Sequence, residues 1–250
     1  MLISSHRHTK DDLVYWKWLA ESDMLRRSDV GFLKQHTAAL NAILSFVIRD
    51  RCYCSVSWGK DSVVVAHLLW CIRRDIPLVY IRPHPNYNPD CVAVRDAFLS
   101  RFPMPYIERT PDYTQDDSSF DREWKLVERD LGTSRRMTGI RAAESGGRRI
   151  RMRTWGVESP STLAPIGWWS TADVFTYLAT HDLPIHPAYA MLGGGRWDRE
   201  KLRVDEIGVV DSNGQFRERR GERGGMFGAG EWEREYYGDV LRRLETGRKV

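Results

Sequence analysis

Six residues able to hold an anion, Ser57-Trp58-Gly59-Lys60-Asp61-Ser62, stand between the apolar run Cys52-Tyr53-Cys54-Ser55-Val56 and an apolar stretch reaching Ile72. The upstream run reads as a buried strand and the downstream one as a helix packed on a sheet. The loop therefore ends at a helix N-terminus, where unpaired amides and the helix dipole stabilise a phosphate or sulfate oxygen. Gly59 permits close backbone approach, Ser57 and Ser62 carry hydroxyls, Asp61 or Ser62 can cap the helix, and Lys60 adds a cation. The P-loop of ordinary nucleoside triphosphatases needs glycine five positions before its Gly-Lys pair and Ser or Thr after the lysine. Cys54 and Asp61 occupy those two positions, so Lys60 is not a lysine of that kind. The loop alone is also compatible with a capped turn that binds nothing.

Two later segments narrow this choice. Gly139-Ile140-Arg141-Ala142-Ala143-Glu144-Ser145 is followed by Arg148 and Arg149, whose planar guanidinium groups suit bidentate contacts to phosphate or sulfate. Pro165-Ile166-Gly167-Trp168-Trp169 then leads into an apolar helical pattern up to Leu178, and Pro184-Ile185-His186-Pro187-Ala188-Tyr189 forms a turn. With the 57–62 loop, these segments resemble the Ser-(Gly/Phe)-Gly-x-Asp-Ser, Gly-(Ile/Leu)-Arg-x-x-(Glu/Gln)-Ser and Pro-Ile-x-x-Trp…His-Pro-x-Tyr motifs of the phosphoadenosine phosphosulfate (PAPS) reductase family. That family belongs to the PP-loop, or adenine nucleotide α-hydrolase-like, superfamily. All three motifs occur in family order over roughly residues 40 to 190. The resemblance implies nucleotide or phosphate binding by Ser57, Trp58, Gly59, Lys60, Asp61, Ser62, Gly139, Arg141, Glu144, Ser145, Arg148 and Arg149. Asp61, Arg141 and Lys60 are its catalytic candidates, with His84 and His186 as further candidates near the nucleotide.

The departures from the family concern cysteine. Its reductases carry a Glu-Cys-Gly-x-His segment whose cysteine attacks the sulfonucleotide, and related adenylylsulfate reductases carry a cysteine set for an iron–sulfur cluster. Here no cysteine follows Cys91, so neither set is present and no iron–sulfur cluster is expected. The thiolate is the nucleophile in reduction, and without it the chemistry that the resemblance to the superfamily still implies is attack on the α-phosphorus of ATP: adenylylation with release of pyrophosphate. Mg2+ accompanies the phosphates if ATP is the substrate, and a sulfonucleotide does not require it. The implied setting is sulfur transfer or nucleic-acid modification, with a nucleic acid or a sulfur-donor protein as partner. The alternatives are PAPS reduction, using Cys54, Cys91 or a cysteine supplied in trans, and a non-catalytic nucleotide-binding partner within a complex. Cys52 and Cys54, two apart on a strand, face one side and read as core.

The elements positioning these groups follow from periodicity. Helices are expected over 11–26, with Leu13, Trp16, Leu19 and Ala20 inward, and over 31–49, with Phe32, Ala39, Ile43, Phe46 and Val47 inward. Strands near 52–56, 78–82 and 105–109 then alternate with helices at 62–74 and 90–101, which predicts an α/β fold with a doubly wound, mainly parallel sheet. Residues 110–135 read as a polar, acidic insertion with a short helix at 122–131, either facing substrate or forming a solvated loop. A terminal amphipathic helix is expected over 231–245. The organisation is N-terminal helices over 1–50, a nucleotide-binding domain over 51–190 and a loop-helix extension over 191–250. Net charge is +4, from 38 basic and 34 acidic residues, which only mildly favours an anionic partner. No apolar run reaches membrane-spanning length and no signal-peptide pattern opens the sequence, so a cytoplasmic, non-membrane protein is expected. Several of the ten tryptophans could stack on bases, although core packing is the commoner use of such residues.

Overall fold

The computed structural model describes the chain except residues 83–86, 112–118, 205, 208, 211–215, 218–228 and 246–250. His84 lies outside the described residues. Five parallel strands form one sheet in the order β3-β2-β1-β4-β5: β1 (Tyr53–Ser55), β2 (Leu78–Ile81), β3 (Tyr106–Arg109), β4 (Arg136–Met137) and β5 (Thr162–Leu163). Cys54 pairs with Leu78 on one side and Met137 on the other, so β1 is central. The chain runs outward from β1 through β2 to β3, then crosses back to place β4 on the other flank of β1. A crevice therefore opens beyond the carboxyl ends of β1 and β4, the position where open α/β sheets bind ligands.

Alternating strand residues feed two apolar layers. Cys54, Leu78, Tyr80, Met137 and Leu163 join the larger core, together with residues from helices α2 (Val30–Arg49), α3 (Lys60–Ile72) and α7 (Thr171–Thr180). Tyr53, Val79 and Ile81 face the opposite way onto Val127 of α5 (Ser119–Leu131), with Phe120 and Trp124 packed alongside. Helix α4 (Asp90–Arg101) links β2 to β3 and buries Cys91, Val94 and Phe98. Helices thus cover both faces, as a doubly wound sheet requires.

The N-terminal helices show how capping and burial select the inward face. Asp29 accepts from the Phe32 amide at 2.9 Å to start α2, which buries the five residues expected of it. Helix α1 (Lys10–Leu25) begins with a Thr9–Asp12 capping box. It does not turn Leu13 inward: that side chain is exposed, while Trp16 and Asp12 are buried. The reason is polar. The Asp12 Oδ1 atom accepts from the amides of Leu192 and Gly193, at 2.8 and 2.7 Å, and from the Tyr236 hydroxyl at 3.0 Å. The helix therefore rotates its carboxylate toward the C-terminal segment. That segment ends in α8 (Ala229–Glu245), which buries Trp232, Tyr236, Tyr237, Val240 and Leu241. Among the described residues no helix is long and apolar enough to cross a membrane.

Candidate active site

The loop joining β1 to α3 builds its own scaffold. Ser62 Oγ donates to the Gly59 carbonyl at 3.0 Å and accepts from the Ser57 amide at 3.2 Å, which closes the turn on itself. Trp58 takes the left-handed region, at φ 62°, and its fully buried ring packs on Phe98 and Tyr106, with the indole N–H donating to the Tyr106 hydroxyl at 3.3 Å. Trp58 thus anchors the loop from behind, while Ser57 and Gly59 to Ser62 line a cavity of about 550 Å3 at the sheet crevice. The N-cap of α3 is Gly59, so neither Asp61 nor Ser62 caps it and no side chain occupies the cap. The Lys60 amide donates to the Tyr189 hydroxyl at 3.3 Å. Among the described residues no acceptor pairs with the amides of Gly59, Asp61 and Ser62, which leaves donors for an anion at the positive end of α3.

Behind these amides lies a buried charge triad. Asp61 places Oδ1 2.6 Å from Arg141 Nε and Oδ2 3.0 Å from Lys60 Nζ. Arg141 Nη1 also donates to the Trp169 carbonyl at 3.2 Å and the Thr171 hydroxyl at 3.3 Å. Burial pushes the Asp61 carboxyl up, but Lys60 and Arg141 outweigh it and hold the group below the usual carboxylate range. For Lys60, burial favours the neutral amine, and Asp61 and Tyr189 outweigh it, raising the ammonium above its ordinary value. Its Nζ also stands 5.2 Å from the centroid of the Tyr189 ring. Two cationic side chains thus meet one carboxylate, which leaves an excess of positive charge at the cavity wall, where Lys60 and Asp61 stand.

The opposite wall comes from the segment after β4. A Cβ on Gly139 would meet the Asp61 carbonyl carbon at 2.8 Å and the Ser62 amide nitrogen at 2.9 Å, so only glycine lets the two loops touch. Arg141, 1% exposed, is turned away from the cavity wall and onto Asp61. Glu144 accepts from the Arg141 amide at 2.8 Å and from the Arg148 guanidinium, and both Glu144 and Arg148 line the cavity. Ser145 caps helix α6 (Gly146–Trp155) by accepting from the Arg148 amide at 3.1 Å. Arg149 is exposed on α6, off the cavity wall. His186, 1% exposed, accepts from the Ala188 amide through Nδ1 at 3.2 Å, and burial pulls its pKa down to about 3. It supports the Tyr189 turn and does not line the cavity.

The phosphoadenosine phosphosulfate reductase domain model matches residues 51–192, more than half of the chain. The chain belongs to this family. The phosphoadenosine 5'-phosphosulfate reductase of Xanthomonas axonopodis pv. citri is 28% identical over 161 residues, covering 54% of this chain and 64% of that protein. Solved structures with similarity include the PAPS reductase of Candida auris in a phosphate complex, 14% identical with a TM-score of 0.46 over 74% of this chain and 92% of that one, and the FMN adenylyltransferase of Candida glabrata with ATP, 17% identical with a TM-score of 0.49 over 72% and 66%.

Beyond the family motifs, this PAPS reductase-family chain adds wall residues that sequence reasoning had no means of singling out. Phe120 and Trp124 come from α5, Arg136 and Thr138 from β4 and its end, and Leu202, Arg203, Val204 and Glu206 from beyond the matched domain. Tyr189 carried a signal in the His-Pro-x-Tyr turn, although nothing in that turn marked its hydroxyl as the acceptor of the Lys60 amide. The buried Cys91 thiol lies 3.7 Å from the Ser57 carbonyl oxygen and 3.6 Å from that of Val204, tying the outlying segment to the loop between β1 and α3.

Proposed function

We propose that this chain binds an adenine nucleotide by its phosphate chain and acts at the α-phosphate of ATP, releasing pyrophosphate. The observation carrying this reading is the set of unclaimed amides at Gly59, Asp61 and Ser62, on the wall of a cavity whose volume falls in the range of small-molecule sites. The acceptor's oxygen would form a bond to the α-phosphorus as the bridging bond to the β-phosphate breaks, its electron pair leaving with pyrophosphate. The α3 amides and Lys60 receive that charge, and Arg148 stabilises charge near the α-phosphate; Arg141 acts through Asp61 as a positioning residue. Asp61 has both oxygens committed to cations, so it does not fit as a metal ligand; Mg2+ would arrive on the nucleotide's phosphates. Adenylylation activates the acceptor oxygen for displacement by sulfur or nitrogen, which suits sulfur transfer or nucleic-acid modification. Residues 51–190 would be the nucleotide-binding unit, with 1–50 packed on it and Leu202, Arg203, Val204 and Glu206 of the 191–250 extension completing the wall. None of the four cysteines is in a disulfide, which is compatible with a reducing, cytoplasmic setting.

A second reading, sulfonucleotide reduction, is favoured by what the relatives are called. Against it stands thiol placement within this chain: Cys52 and Cys54 are buried, with burial pushing both thiols up, and Cys91 faces main-chain carbonyls behind the loop. One experiment separates the two. Purified protein and its Ser57→Ala and Asp61→Ala forms are incubated with ATP and Mg2+, or with PAPS and reduced thioredoxin, while pyrophosphate and sulfite are followed. Pyrophosphate that falls at least tenfold in both variants supports the proposal. Sulfite release supports reduction. Nucleotide binding with neither product makes the chain a binding partner and sinks both.

A further inference from the structure

Helix α6 carries four arginines and no acidic residue in ten positions. Arg148 turns into the cavity and pairs with Glu144, whereas Arg149, Arg151 and Arg153 are exposed. Among the described residues none of these three meets a carboxylate. The helix C-terminus accounts for a cation at Arg153 but not for Arg149 or Arg151. On the same helix Trp155 is 73% and Ile150 67% exposed. Arg151 and Trp155 also line a small groove with Arg136, Thr138, Ile140 and Glu158, whose carboxylate is paired with Arg49; Arg136, Thr138 and Ile140 line the main cavity as well. The flank of α6 that carries Arg151 and Trp155, one turn apart, is thus continuous with the candidate active site, while Arg149 and Arg153 lie on another side of the helix.

We propose that the outer surface of α6 binds single-stranded nucleic acid and leads it to the cavity mouth. The proposal rests on the nucleotide reading of the cavity, because it names the acceptor that the surface delivers. Guanidinium groups that meet no carboxylate among the described residues attract a chain of phosphates, and the exposed indole of Trp155, one turn from Arg151, offers a face on which an unpaired base stacks. A duplex keeps its bases stacked on one another and has no use for Trp155. An anionic bilayer fits less well: Ile150 and Trp155, five positions apart, lie roughly 140° apart around the helix and alternate with arginines, so no continuous apolar face exists to enter lipid.

The test is fluorescence anisotropy with a labelled 20-nucleotide single strand, in DNA and RNA forms, using the full chain, Arg151→Glu/Arg153→Glu and Trp155→Ala. ATP affinity and thermal unfolding are measured on each protein as controls. The charge-reversed variant should lose at least tenfold in affinity at moderate salt, with its log–log salt slope reduced by about 1.4, from ~0.7 per lost phosphate contact. Trp155→Ala should lose about tenfold for the single strand and less than twofold for a duplex of equal length. Both variants should bind ATP as the parent does. Unchanged strand affinity in both variants, a parent that prefers duplex or anionic vesicles, or no strand binding by a parent that binds ATP overturns the proposal. Loss of pyrophosphate formation alone, with strand binding and its mutational losses intact, overturns the reading of the cavity instead.

Discussion

The two ends of α3 bury ionisable groups in opposite ways. At the start of the helix, Lys60 and Asp61 are held charged beside Arg141. Two turns on, His67 is 5% exposed and is held neutral. Its Nδ1 lies 2.8 Å from the Tyr177 hydroxyl, and Phe102, His181, Tyr177 and Trp70 surround the ring, with His36 beyond Tyr177. Burial lowers its pKa to about 4, with His181, Arg101 and His36 acting in the same direction. The contrast is one of partners: a charge stays in the interior only where opposite charge meets it. The charged end faces the cavity and the neutral one the core.

The sharpest way to break this contrast is to unpair the triad. Arg141→Ala should cost about 3–5 kcal/mol in urea unfolding, because Asp61 loses its closest cation inside the protein. It should also abolish nucleotide-dependent turnover, with Arg141→Lys recovering part of both. A loss below about 1 kcal/mol would mean that Lys60 alone suffices.

The neutral end is probed by pH. A histidine whose folded pKa lies below its unfolded value binds fewer protons when folded, so stability falls as pH drops from about 6.5 toward 4 and levels off below. Up to about 3 kcal/mol should be lost over that window on account of His67. The slope of unfolding free energy against pH should be visibly shallower in His67→Gln. Identical slopes would place the protonation elsewhere, in His186, His36, His181 or the carboxylates.

Smaller effects refine the cavity wall. Gly139→Ala forces a Cβ into the Asp61–Ser62 backbone and should cost about 1–3 kcal/mol, while weakening ATP binding at least tenfold by calorimetry. At the low end, Arg148→Ala should weaken ATP several-fold and Arg149→Ala less than twofold, with stability in both within about 0.5 kcal/mol of the parent. Equal losses of affinity would mean that the exposed Arg149 reaches the nucleotide after all.

Legibility in the sequence followed the strength of local pattern. Helices α2 and α3 and the loop between β1 and α3 were readable because periodicity and small polar residues mark them. Strands β4 and β5 were not: Arg136-Met137 and Thr162-Leu163 are two residues each, too short to alternate, and their pairing is set by β1 and by each other. Helix α6 was hidden by two leading glycines and a run of arginines that also reads as solvated surface. The motif around Arg141 located the residue, but sequence reports a charge and not its counterion, so its turn toward Asp61 needed coordinates. Leu13 shows the converse, an apolar residue displaced from the interior because a neighbouring carboxylate, Asp12, found three donors there.

Because Leu202 to Val204 close one side of the cavity from beyond residue 192, a fragment trimmed to the shared domain would keep the anion loop yet leave it open to bulk water. On the nucleotide reading proposed above, substitutions at Leu202, Arg203 or Val204 would remodel the entrance while the 57–62 loop keeps its shape.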